Sequence, residues 1–311
     1  MLITPIRSST LIIGLLIVCT TLSPVIADEF SCPGEGHYLQ VLGAGGPESD
    51  DGFASSGYLI WLDGKARLLI DVGGGVPLRF EQAKANLADL DAIIFTHFHV
   101  DHSAGLPALI KASYFGSRAR DLPILGPGGN DYLPSPSQFL NRLFSTDGVY
   151  PYLNEYITAG QGSYMLRPVD INLTSGETWR DFQNERVALA AISVHHGPLP
   201  ALAWRVDING KGITFSGDTS GRGDALNQLA KGSQLLVAHN AVPEEARGAA
   251  RALHMTPSRI GVIAATAEVA ALVLSHRMTR TIGEELTTTS AIRENYTGPL
   301  RFAKDLECFP F

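Results

Sequence analysis

The chain has 311 residues, of which 45% are hydrophobic and 18% charged, with a formal net charge of −7. That is ample for one large globular domain and marginal for two. An acidic surface does not attract nucleic acid or anionic lipid, so composition alone argues against both as partners.

The first 27 residues carry one charge, Arg7, then an apolar run from Leu11 to Val18, then Val25 and Ala27 in a small-residue cleavage pattern. This reads as a secretory signal cleaved near Ala27, leaving 28–311 as a single domain in the periplasm or outside the cell. The apolar run is well short of the roughly 20 residues that a membrane span needs, so no stable membrane anchor is expected. The mature part keeps two cysteines, Cys32 and Cys308, one near each end. In an oxidising compartment they form a natural disulfide that pins both termini to the body.

Past the leader, the apolar runs 37–46, 56–64 and 66–75 each end in glycines or Asp-Gly and predict strands joined by tight turns. Leu78, Phe80, Ala83, Leu87 and Leu90 predict a helix over 77–90. A short buried strand follows at 91–97, then a helix from Leu106 to Phe115 and a strand at 122–129. Residues 130–156 are rich in proline and aromatic side chains, with one short helix around 137–144, and read either as an insertion or lid or as a surface helix with long loops. Strands recur at 185–196, at 201–219 as a hairpin about Asn209-Gly210, and at 233–239. A helix over 257–269 and a strand at 271–276 complete the pattern. Strands, a helix, then strands and helices again argue for two sheets packed face to face with helices outside.

The stretch "THFHVDHSAGL" (96–106) sets His97, His99, Asp101 and His102 within six positions. Residues two apart on a helix point to nearly opposite sides, so His97 and His99 can share a ligand only on an extended or looped segment. The end of the strand at 91–97 supplies one. His196, Asp218 and His276 also follow predicted strands. If those strand ends lie on one edge, seven imidazole and carboxylate ligands converge, too many for one tetrahedral ion and suited to two zinc-type ions.

"THFHVDH" resembles the HxHxDH signature of the metallo-β-lactamase superfamily, and "VHHGPLPALAWR" (194–205), "FSGDT" (215–219) and "LVLSH" (272–276) follow in the family's order. The resemblance implies an α/β (α+β) fold, the αββα four-layer sandwich of that family, over essentially the whole mature chain. It places one ion on His97, His99 and His196 and a second on Asp101, His102 and His276, with Asp218 bridging. Spacing to Ala203-Trp204-Arg205 selects His196 over its neighbour His195. Asp71, in "LLIDVGG", matches a family aspartate that supports the site from behind. The two divalent ions implied are Zn2+, with Mn2+ or Fe2+ as alternatives. About 3.5–4 Å apart, they would hold a hydroxide for hydrolysis, with Asp101 as ligand and proton acceptor.

"RALHMTPSRIG" (251–261) resembles the arylsulfatase and tRNase Z branch, which makes His254 a candidate donor to the leaving group; the alternative is a cap on the helix that Pro257 opens. In that branch the donor pairs with a glutamate, whereas this chain has Asn240, and an asparagine cannot stabilise an imidazolium as a carboxylate does. His239 reads as a supporting or core histidine and His37 as a surface residue. The resemblance admits a homodimer. With a leader, an acidic chain and no basic arm, the reading is an exported hydrolase of a small anionic ester and no nucleic-acid partner. An aryl sulfate leads, a phosphodiester such as a cyclic nucleotide or a lactone is the alternative, and a biosynthetic enzyme of the same fold is a further class. The aromatic residues of 130–156 are expected either to wall an aromatic leaving group or to pack a lid.

Overall fold

The computed structural model describes Met1 and residues 32–311; the expected leader therefore lies outside the described residues. Residues 32–311 cluster as one unit. Seven strands make the first sheet: β1 (His37–Gly43), β2 (Gly57–Leu62), β3 (Lys65–Ile70), β4 (Ala92–Ile94), β5 (Leu122–Pro127), β6 (Leu166–Ile171) and, added at the edge, β14 (Cys308–Pro310). The second sheet holds β7 (Thr178–Gln183), β8 (Ala188–Ser193), β9 (Leu202–Ile208), β10 (Lys211–Phe215), β11 (Leu235–His239), β12 (Ala271–Ser275) and β13 (Leu300–Phe302). The orders are β14-β1-β2-β3-β4-β5-β6 and β13-β12-β11-β10-β9-β8-β7.

Three apolar layers explain the stacking. Leu39, Ile60, Leu68, Ile94, Trp204, Val206, Phe215 and Val237 fill the space between the sheets. The outer face of the first sheet is covered by α1 (Val76–Gln82), α3 (Leu106–Ser113) and α4 (Pro136–Phe144). That of the second is covered by α5 (Ala225–Leu229), α7 (Pro257–Thr266) and α8 (Glu285–Arg293). This is the αββα sandwich expected. Two shorter helices, α2 (Val100–Ser103) and α6 (Gly248–Leu253), lie in the loops beyond the strand ends. The sheets are tied by polar bonds as well: Trp204 Nε1 donates to Phe95 O at 2.9 Å and Leu202 N to Thr96 O at 2.8 Å.

Local chemistry sets the element ends. The helix expected over 77–90 stops at Gln82, because Lys84 takes φ 57°; Asn86 then caps a separate 3-10 turn, Leu87–Asp89, through Oδ1 accepting from Ala88 N. Asn209 and Gly210, at φ 50° and 80°, close the β9–β10 hairpin, the left-handed pair that such a two-residue turn requires. α4 starts on a reciprocal capping box between Ser135 and Gln138. Its residues Leu140 and Phe144, with Leu153 and Tyr156 of the following 3-10 turn, are buried in the outer core of the first sheet, where Phe139 packs on Phe95 and Phe98 and Tyr156 on Tyr164. Segment 130–156 is thus largely part of the outer helical layer.

Cys32 and Cys308 form a disulfide with Cα atoms 5.5 Å apart, closing 276 positions of chain and holding β14 beside β1. Among the described residues no helix is long and apolar enough to cross a membrane.

Candidate metal centre

The two sheets bring the C-terminal ends of β3, β4, β8, β10, β11 and β12 to one edge of the sandwich. In the first sheet β3 and β4 run parallel; in the second β10, β11 and β12 do, and β8, two antiparallel steps from β10, points the same way. The residues at or just past those ends are Asp71, His97, His99, Asp101, His102, His196, Asp218, His239 and His276. All of them except the half-buried His99 are essentially closed to solvent.

The side chains sort into two groups around Asp218. In the first, His97 Nε2 lies 3.0 Å from His99 Nδ1, and His97 Nε2 and His196 Nε2 stand 3.8 and 3.7 Å from Asp218 Oδ2. His196 Nδ1 donates to Leu253 O at 3.0 Å, which fixes the tautomer and leaves Nε2 as an acceptor without a partner. In the second group, His102 Nε2 is 3.5 Å and His276 Nε2 3.2 Å from Asp101 Oδ2; the same two nitrogens lie 3.8 and 3.4 Å from Asp218 oxygens. His102 Nδ1 donates to Asp71 Oδ2 at 2.8 Å, again aiming a partnerless Nε2 inward.

Buried acceptor nitrogens without a hydrogen bond are costly unless a cation takes them, so this donor set fits divalent ions. The donor atoms of His97, His99, His196 and Asp218 lie within 4.8 Å of one another, as do those of His102, Asp218, His239 and His276. His239 is better seen as a support. Its Nδ1 donates to Asp218 Oδ1 at 2.8 Å and its Nε2 is 3.2 Å from the Tyr58 hydroxyl, so both nitrogens are engaged, while Asp101 faces His102 and His276.

The protein's own charges set the ionisation. Burial pushes the Asp218 carboxyl up, but His276, His254, His239 and His102 around it hold it well below the usual range. Burial lowers His97 far below an ordinary imidazole, leaving it neutral. For His102 burial is opposed by the carboxylates of Asp71, Asp101 and Asp218, which raise it to about 9. Without a divalent ion Nε2 therefore keeps a proton, and an ion bound there would displace it and leave only the Nδ1–H to Asp71. Asp71 accepts from Thr96 N, Thr96 Oγ1 and His102 Nδ1 at 2.7 to 2.8 Å. Both Asp71 and His276 sit at positive φ, 55° and 52°, strained backbone held at the site by its surroundings.

His254 borders the same cavity of about 300 Å³, with Nδ1 3.9 Å from Asp218 Oδ2. It ends α6 and does not cap α7. Burial lowers it to about 4, so it is a neutral imidazole near pH 7. Neither Asn240 Oδ1 nor Nδ2 has a hydrogen-bond partner, so Asn240 does not hold His254. His195 turns away, with Nδ1 3.1 Å from Ser220 Oγ. Thr96, Tyr58 and Arg280, which also borders the cavity, escape sequence reasoning; only Thr96 carried a signal, its place directly before His97. None of the aromatic residues of 130–156 lines this cavity, so they do not wall a leaving group there.

Two sheets with paired histidine-aspartate groups at their shared edge define a metal-dependent hydrolase fold. The chain belongs to the metallo-beta-lactamase superfamily, whose family model matches residues 50–260. It is 27% identical to the Ribonuclease Z of Methanosarcina mazei over 286 residues, covering 82% of this chain and 92% of that one. The Ribonuclease Z of Metallosphaera sedula is 28% identical over 240 residues, 70% of this chain and 81% of the relative. Among solved structures, the metallo-beta-lactamase fold protein YhfI of Bacillus subtilis superposes with TM-score 0.68 at 21% identity (88% and 99% of the two chains), and the short form of human tRNase Z with 0.66 at 18% (88% and 98%).

These relatives overturn two expectations. An exported aryl sulfate hydrolase has no support among them, and a substrate limited to small molecules, with no nucleic acid, conflicts with relatives named for ribonuclease activity. Net charge misled on the second point because it averages over a surface whose local fields differ.

Proposed function

We propose that this chain is a metal-dependent phosphodiesterase that cleaves the phosphodiester backbone of RNA. The observation that carries the reading is the paired His/Asp geometry around Asp218, in a chain alignable over most of its length with Ribonuclease Z relatives. His97 Nε2, His99 Nδ1, His196 Nε2 and Asp218 would hold one divalent ion; Asp101, His102, His276 and Asp218 would hold the other, with zinc the metal that the donor set suits. When bound, such ions supply positive charge to a phosphate and make a water acidic enough to attack it.

The chain's own groups do the rest. Asp101, which burial raises but His102 and His276 hold down at about 2, stays ionised and orients the attacking water by accepting its hydrogen bond. His254, neutral and at the cavity, offers an N–H to the leaving oxygen. It does so without a carboxylate behind it, since Asn240 makes no bond to it. The disulfide supports an oxidising location for the protein, which fractionation of the host would test. A second reading, a single-nucleotide phosphodiester substrate, is favoured by the cavity's modest volume of about 300 Å³.

The test is to quantify bound metal and assay a precursor RNA with a 3′ extension, a cyclic nucleotide and a bis-aryl phosphodiester. RNA cleavage that falls roughly 10²–10³-fold in Asp218→Ala supports the proposal. Turnover of the cyclic nucleotide alone selects the second reading, and a metal-loaded protein that cleaves no phosphodiester refutes both.

A further inference from the structure

A cavity of about 690 Å³ opens beside the metal centre, between the turn after Asp218 and α6. Four arginines line it: Arg222, Arg247, Arg251 and Arg259. They come from three separate stretches of chain. Arg259 Nε and Nη2 donate to Gly221 O and Gly223 O at 2.7 and 2.8 Å, and Arg251 Nη1 to Ser220 O at 3.3 Å and His254 O at 3.4 Å. Arg222 reaches only the His195 ring, and Arg247 only its neighbour's carbonyl. Among the described residues none of the four pairs with a carboxylate, and the one acidic residue on the wall is Asp224.

Four cations facing one cavity repel each other unless an anion joins them, and this happens in a chain of net charge −7. Guanidinium groups suit phosphate in particular, through forked, charge-assisted hydrogen bonds. The cavity is separate from the metal cavity but adjoins it through the chain: Ser220 lies two residues past Asp218, and Arg251 Nη1 donates to the backbone carbonyl of His254, which borders the metal cavity.

We infer that this arginine cleft binds the backbone phosphates of the RNA strand flanking the scissile bond, so that the enzyme favours a polynucleotide over an isolated diester. The inference rests on the phosphodiesterase reading for what happens at the neighbouring site. The strand's phosphates would displace ordered water and release counterions, which gives binding a salt dependence of about 0.7 log units per contact for single strands.

Arg222 and Arg247 are exposed and make only one contact each, so the double variant Arg222→Gln/Arg247→Gln should fold as the parent does. The probe is a labelled single-stranded RNA of twelve nucleotides, its binding to the full chain followed by anisotropy across a salt series with chelator present. The parent is expected to bind at low salt; the variant should bind at least about tenfold more weakly, with a salt slope smaller by about 1.4. In metal-loaded enzyme the loss of kcat/KM on RNA should exceed the loss on a bis-aryl phosphodiester about tenfold. Parent-like RNA affinity and slope in the variant, no RNA binding by the parent, or equal losses on both substrates would overturn the inference. Because the anisotropy reading needs no turnover, failure of the phosphodiesterase reading is seen separately, as absent cleavage with binding intact.

Discussion

Replacing Asp71 by asparagine tests whether His102 is aimed by its carboxylate. Asp71 is fully buried and accepts three hydrogen bonds, from Thr96 N, Thr96 Oγ1 and His102 Nδ1. Asparagine keeps the shape and tolerates the φ of 55° at this position, so little backbone strain is added. Its Oδ1 still serves Thr96 N, and the Thr96 hydroxyl can rotate to accept from the new amide. The His102 Nδ1–H then faces a second donor. Relief requires the proton to move to Nε2, the atom turned toward Asp101 and Asp218. The misplaced bond is worth about 1–3 kcal/mol, which is roughly 5–150-fold in affinity for the second divalent ion. Loss of the negative charge also removes one of the carboxylates that raise His102 to about 9, so its protonation should fall toward ordinary values. Competition of zinc against a chelator, with urea unfolding as the control for stability, measures the effect. Two ions bound at unchanged affinity in Asp71→Asn would refute the claim that this carboxylate sets the tautomer.

Asp91 accepts from Arg120, Arg186 and Asn184, tying the start of β4 to the β7–β8 connection. Burial raises its carboxyl, but the two arginines outweigh that and lower it overall. A lowered folded value means stabilisation that is complete above the unfolded pKa near 3.9 and lost as pH falls below it. Asp91→Asn should therefore destabilise by about 2 kcal/mol at pH 7, discounted for the partly exposed arginines, with the gap closing below about pH 4 in urea titrations. Cys32→Ser/Cys308→Ser should lose up to about 5 kcal/mol, a fall of about 10 °C in Tm that reductant reproduces in the parent and not in the variant. At Gly46 an added Cβ would meet His276 Cε1 at 2.9 Å. Gly46→Ala should weaken the second ion site by calorimetry while leaving the Tm within a few degrees.

What the chain discloses on its own is what its chemistry repeats locally. The spacing of His97, His99, Asp101 and His102 requires a loop off a strand whatever the fold, and the order of the later motifs supplies His196, Asp218 and His276. The strands β1 to β4 and β8 to β12 are readable because each carries a run of buried apolar residues. β7, exposed throughout "TWRDFQ" except at the half-buried Trp179 and Phe182, carries no apolar run, and neither it nor β6, β13 and β14 can be read without the neighbours they pair with. Tertiary structure alone decided that strand ends from two sheets meet at one edge, that His239 turns both nitrogens to Asp218 and Tyr58, and that segment 136–156 joins the outer core of the first sheet, with Phe139 on Phe95 and Phe98. It also gathered Arg222, Arg247, Arg251 and Arg259 into one cleft of an acidic protein. Covalent order fixes neighbours a few residues apart; which distant side chains share a dielectric and a field is settled only by how the layers pack.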